Sequence, residues 1–127
     1  MPAKRVIRAR FDTAQGRKSP VLTLEVVSEP ADLAKGLMNR VQMPSHHGML
    51  FVFPEPSQHG FWMKNTYIHL DIAWLDEQGF IINVAHMTPH DETMHRPLVP
   101  AKFAVELHAG ALARYGVTIG DRLMVLR

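Results

Sequence analysis

Trp62, Lys64, Asn65 and Asp71 stand within ten residues of one another and have the side chains from which a small binding site is made. The indole offers a flat apolar face for stacking. Lysine and aspartate are charge-matched hydrogen-bond partners, and the asparagine amide both donates and accepts. Such a group suits a small polar ligand, a saccharide or a peptide. The same residues also make ordinary structure. Asn65-Thr66 can fix a turn through side-chain hydrogen bonds, and Lys64–Asp71 can be a cross-strand ion pair.

Arg40 and Glu106 extend the candidate set. Arg40 follows an apolar stripe, so its guanidinium can fold inward. Glu106 is the lone acid in an apolar run, Phe103 to Leu107, and if both faces of that strand are covered it needs a partner. The expected partner is Arg40, which could equally pair with Asp71. Two other functions compete with ligand binding. In one, Asp71 and Glu106 share a cleft as the acid/base pair of a hydrolase or lyase, which requires a separation of about 5–10 Å. In the other, the proline-containing segment 88–100 presents Met94, Leu98 and Val99 to a protein partner.

Other chemistry is poorly supplied. The chain has no cysteine, so thiolate nucleophiles, disulfides and thiolate metal sites are excluded. No serine sits in a glycine-flanked elbow. His86, His90 and His95 cluster in sequence, but Pro89 breaks the helix that would align the first two, and His46-His47 point apart on an extended chain. No metal and no cofactor is expected. The basic residues are unevenly placed: residues 1–18 hold six Lys/Arg against one Asp, a net of +5, whereas residues 19–127 hold eight basic against eleven acidic groups, a net of −3. A mildly acidic body argues against a nucleic-acid partner. No apolar run approaches the ~20 residues that span a bilayer. The basic N-terminus lacks a following apolar stretch, so no secretory leader is expected in this chain.

The elements that must position these groups read as short strands. Val6–Phe11 alternates, with Arg8 and Arg10 on one face, and is expected to be a charged edge strand. Val21–Val27 returns after a turn. Ser28-Glu29-Pro30 starts a helix whose stripe Ala34, Leu37, Met38 and Val41 should reach Arg40. Gly48–Phe53 is apolar on both faces, a central strand closed by Pro54. Phe61–Lys64 should be a strand with Phe61 and Met63 inward and Trp62 and Lys64 outward. Leu70–Leu75 and Phe80–Met87 flank a hairpin loop, Asp76-Glu77-Gln78-Gly79. Strand Lys102–His108, helix Ala109–Tyr115 capped by Gly116, and strand Arg122–Leu126 complete the chain. This gives a mainly-β fold, a single-domain antiparallel β-sandwich or distorted barrel with two short helices, spanning residues 1–127.

The order of these segments carries a resemblance. Gly36-Leu37-Met38, Arg40, Gly48-Met49-Leu50-Phe51-Val52-Phe53, Phe61-Trp62-Met63-Lys64-Asn65-Thr66 and Leu70-Asp71-Ile72 follow one another. Ala104-Val105-Glu106-Leu107, Ala109-Gly110, Gly116 and Gly120-Asp121 come after them. This pattern resembles the prokaryotic domain-of-unknown-function family number 192 over residues 20–126, leaving residues 1–18 as a basic N-terminal strand and turn. The resemblance implies a compact β domain, and because many members carry a leader it also implies that export to the periplasm is open to the family. It implies no activity, substrate or cofactor. This chain has His69 where the family often has proline.

Overall fold

The short apolar runs of the chain form strands, and in the computed structural model, which describes residues 4–127, seven strands form one curled sheet, a half-barrel. They are β1 (Arg5–Asp12), β2 (Leu22–Val27), β3 (His47–Ser57), β4 (Leu70–Leu75), β5 (Ile81–Met87), β6 (Ala101–His108) and β7 (Arg122–Leu126). Helix α1 (Pro30–Lys35) lies between β2 and β3, and α2 (Ala111–Tyr115) between β6 and β7. The sheet order is β5-β4-β6-β3-β2-β1-β7. Residues 1–3, where the expected single domain begins, lie outside the described residues.

The mainly-β expectation holds, in its distorted-barrel form. One strand pair departs from the antiparallel pattern: β2 and β3 run parallel, because α1 carries the chain across between them. The sheet curls until its ends approach. Phe80 bridges Arg122, Ile81 N–H donates to Asp121 O at 2.8 Å, and Leu123 N–H donates to Gly79 O at 2.9 Å. The β4–β5 hairpin turns as expected, with Asp76 accepting the N–H groups of Gln78 and Phe80 and Gly79 at φ +90°. Strand β1 is not an edge strand: it lies between β2 and β7.

Side chains alternate between the two faces of the sheet and build two separate cores. The inner core holds Phe11, Leu22, Leu24, Leu50, Leu75, Ile81, Val105, Leu107 and Leu123, with Leu112 of α2 closing one end. The outer core holds Met49, Phe51, Phe53, Ile72, Trp74, Met87 and Ala104, covered by Leu37, Phe61, Met63 and Ile68 from the connections. Strand β6 supplies both, sending Val105 and Leu107 inward and Ala104 and Glu106 outward. Gly48 permits the tight β3–β6 pairing, since a Cβ there would stand 2.3 Å from the backbone oxygen of Glu106.

Three expected elements are corrected. Strand β3 does not close at Pro54 but runs on to Ser57. The first helix ends at Lys35 rather than near Arg40. Gly36 caps it at φ +51°, a conformation that favours glycine, and Asn39 follows at φ +67°. Val41 is therefore exposed instead of joining an inward stripe. Phe61–Lys64 keeps its expected alternation of burial but is not a strand. Phe61 makes a single two-bond bridge with His95, at 2.8 and 2.7 Å, and the chain then turns at Asn65.

Candidate functional site

The outer face of β3, β4 and β6 is covered by irregular chain, and hydrogen bonds between backbone groups hold that cover together. Phe61 pairs with His95, Met63 N–H donates to Asp91 O at 2.8 Å, and His90 N–H donates to Met63 O at 3.0 Å. Asn39 N–H donates to Asn65 O at 2.7 Å, tying the turn after α1 to the turn after Lys64. Asn65 takes the left-handed conformation that this turn requires, at φ +54°, as an asparagine readily does. Segment 88–100, read from the sequence as a surface loop, is thus one wall of the cover.

Beneath the cover lies a cavity of about 300 Å³. Leu33, Leu37 and Met38 line it from α1 and its following turn, Phe51 from β3, and Phe61 and Trp62 from the cover. Phe61 anchors the aromatic side, meeting Phe51 edge-on at 5.0 Å, His59 at 5.1 Å and Trp74 at 6.1 Å. Trp62 stands at the mouth, 36% exposed. Its ring carries the Lys64 ammonium 5.3 Å from the centroid, a cation–π contact.

Glu106 also lines this cavity and is only 4% exposed. Its Oε1 lies 4.0 Å from where a Gly36 Cβ would be. Burial pushes its carboxyl up to about 8, and no hydrogen bond or neighbouring charge offsets that shift. Across the sheet it faces Met49 and Ile72, both apolar. A buried acid with no protein partner, at an otherwise apolar cavity, has hydrogen-bonding capacity to offer.

The other candidates go elsewhere. Arg40 does not pair with Glu106 or Asp71. It grips Glu25 of β2 with both terminal guanidinium nitrogens, at 2.5 and 2.8 Å, and this holds the Glu25 carboxyl below its ordinary range. Asp71 does not meet Lys64. Its carboxylate accepts the N–H groups of Gly110 and Leu112 at 3.0 and 3.3 Å and pairs with His86 at 3.2 Å, so it secures the start of α2. Asp71 stands opposite Leu107, and its neighbour Ile72 stands opposite Glu106. The two acids therefore point to opposite faces of the sheet, and a shared acid/base cleft is ruled out by the alternation of the strand. Of the six residues singled out in the sequence, Trp62 and Glu106 line the cavity, Lys64 rests on Trp62, and Asn65 makes the turn below them.

Several cavity residues were not legible as such. Met38 and Met63 read only as inward-facing apolar residues, Met94 is exposed as expected yet also lines the cavity, and His59 joins the lining without a signal in the sequence. Among the described residues no group of three or more His, Asp or Glu is placed to hold a metal ion. His86 joins Asp71, His90 stands edge-on to Tyr67 at 4.6 Å, and His95 is drawn into the Phe61 bridge. No helix among the described residues is long and apolar enough to cross a membrane.

The model of the DUF192 family, described as an uncharacterized ACR, matches residues 11–125. The chain belongs to that family. The match begins earlier than the resemblance in the sequence indicated and takes in the end of β1. Two crystal structures are similar to the chain throughout. A Sinorhizobium meliloti 1021 protein, provisionally called a transcription regulator, is 38% identical with a TM-score of 0.94, over 98% of this chain and 97% of that one. A Novosphingobium aromaticivorans DSM 12444 protein of unknown function is 30% identical with a TM-score of 0.88, over 98% and 92% of the two chains. No curated protein matches this DUF192 chain.

Proposed function

We propose that this DUF192 chain is a small-ligand binding module whose site is the cavity under Trp62. The observation that carries the reading is the buried carboxyl of Glu106, which lines that cavity without a protein partner. Binding sites of this kind are mostly apolar, with a few polar groups that fix orientation, and Phe51, Phe61, Met38 and Met63 supply the apolar wall. A saccharide would bring several hydroxyl groups that this wall leaves unsatisfied. Of the two ligand classes expected from the sequence, an apolar side chain of a peptide, or a small molecule like one, fits better.

The provisional name of the Sinorhizobium protein is not carried over. Gripping nucleic acid takes a basic face, and residues 19–127 hold fewer basic than acidic groups. The test of ligand binding is a fragment screen on the full chain, followed by ¹H–¹⁵N NMR. Expected hits shift Gly36, the Trp62 indole and the amide of Glu106 together. A screen whose hits leave those three resonances unmoved would refute the reading.

A further inference from the structure

We propose that Glu106 serves as a hydrogen-bond donor in its acid form, and that the ligand ends in an uncharged acceptor, such as an amide or ketone carbonyl, on an apolar body. This rests on the binding reading above and says what the cavity selects.

The charges around the cavity decide between an acceptor and the obvious alternative, an amine drawn to a carboxylate. Cations stand at the mouth. Lys35 lines it from α1, Lys64 covers the Trp62 ring, and the Arg96 guanidinium carbon lies 3.1 Å from where a Gly60 Cβ would be. Glu106 is the only acid in the lining. An ammonium group would pass three cations on the way in. It would then have to form an ion pair out of water, where desolvation cancels much of the attraction.

The titratable groups facing Glu106 across the cavity are few. Helix α1 brings Lys35 and the cover brings His59, whereas β3, β4 and segment 88–100 bring only the uncharged Phe51, Leu70 and Met94. His59 is held below its ordinary value by burial and by Arg96. At neutral pH it is therefore not a cation that would draw a proton off Glu106. With burial as the only influence on its own pKa, Glu106 keeps its proton at pH 7. Its O–H then lacks an acceptor within the protein, and a ligand carbonyl supplies one. A neutral carboxylic acid in an apolar site is an effective donor of this kind.

The experiment titrates the full chain with hexanamide and with hexylamine, which share an apolar tail of the same type, between pH 6 and 9, following the Gly36 and Trp62 resonances. Expected is a hexanamide affinity level up to about pH 8 and falling above it, with hexylamine weaker at pH 7. Glu106→Gln keeps an amide donor, so it should hold hexanamide affinity within a few-fold and abolish its pH dependence. Glu106→Leu should lose roughly tenfold or more, the usual cost of removing the partner from a buried hydrogen bond. Tighter binding of hexylamine, with affinity climbing toward pH 8, would overturn the acid-donor assignment and leave the cavity as a binding site. Failure of both probes to shift these resonances would overturn the assignment and the binding reading together.

Discussion

The two faces of one sheet make unlike cores. The fully buried side chains of the inner face are aliphatic apart from Phe11, with Phe103 and Tyr115 packed at its margin, and it is closed by strands and by α2. The outer face gathers Phe51, Phe53, Phe61 and Trp74 with three methionines, and it is closed by irregular chain. It also collects the polar liabilities. Glu106 sits there without a partner, and Trp74 Nε1 and His95 Nε2 are buried without one. Buried polar groups are almost always satisfied where packing alone is required. The inner face is therefore organised for stability, and the outer face leaves hydrogen-bonding capacity and volume unused.

The first way to break this contrast is to damage the inner face. Phe11→Ala removes a fully buried ring from the inner core and should cost about 3–5 kcal/mol. A shift in the urea midpoint measures the loss. In the fraction that remains folded, binding at the outer cavity should be unchanged. A coupled loss of both would mean that the two faces are not separate in function.

The second probe uses pH. In the folded chain Glu106 holds its proton up to about 8, whereas once unfolded it releases it near 4.5. Between those values the native state binds the extra proton, so stability falls as pH rises, by roughly 1 kcal/mol per pH unit, and levels off above about pH 8. His59 acts in the opposite sense near its own, lowered value, so the difference between wild type and Glu106→Gln isolates the carboxyl. Urea melts from pH 5 to 9 should show the variant gaining on the wild type as pH rises. Parallel curves would mean that Glu106 is solvated or paired after all.

The Arg40–Glu25 grip lies outside both cores and should matter less. Both side chains are partly exposed, at 30% and 23%, so water and salt screen the pair. Arg40→Ala should cost about 1 kcal/mol or less, and less still in high salt. Glu25 is held below its ordinary value, so the contribution is present at neutral pH and disappears as pH falls through the lowered value. Melts of wild type and Arg40→Ala should therefore converge in acid, in a window below the one that reports Glu106.

What could be read from the sequence divides along the same line. The inner face follows from period-two alternation, as in Ala9 and Phe11 or Val105 and Leu107, and from turn residues such as Asp76 and Gly79. The outer face depends on pairings across long intervals, Phe61 with His95 and Asn39 with Asn65, which no local pattern announces. Glu106 is visible in the sequence as an acid needing a partner, but Arg40, the expected one, bonds Glu25 instead. The apolar stripe carries the expected helix to Arg40, past the Gly36 that ends it, and a glycine directly after Lys35 is the sequence signal for that end. Asp71 drew notice as a charge near Trp62, yet one residue of strand alternation separates it from the face on which Glu106 lies.

The smallest effect on stability is expected from the residue most exposed to a ligand. Trp62 stands at the cavity mouth with a third of its surface in water, and its ring supports Lys64 from outside. Removing it should change unfolding free energy by less than about 1 kcal/mol, in the range of surface substitutions. Hexanamide affinity should drop several-fold, because the indole is the wall that the ligand crosses and then rests against. Trp62→Phe should recover most of that affinity, since an aromatic face is restored without the indole N–H. If Trp62→Ala unfolded the chain as readily as Phe11→Ala, Trp62 would belong to the outer core's packing, and the difference between the two faces would shrink to the unsatisfied polar groups of Glu106, Trp74 and His95.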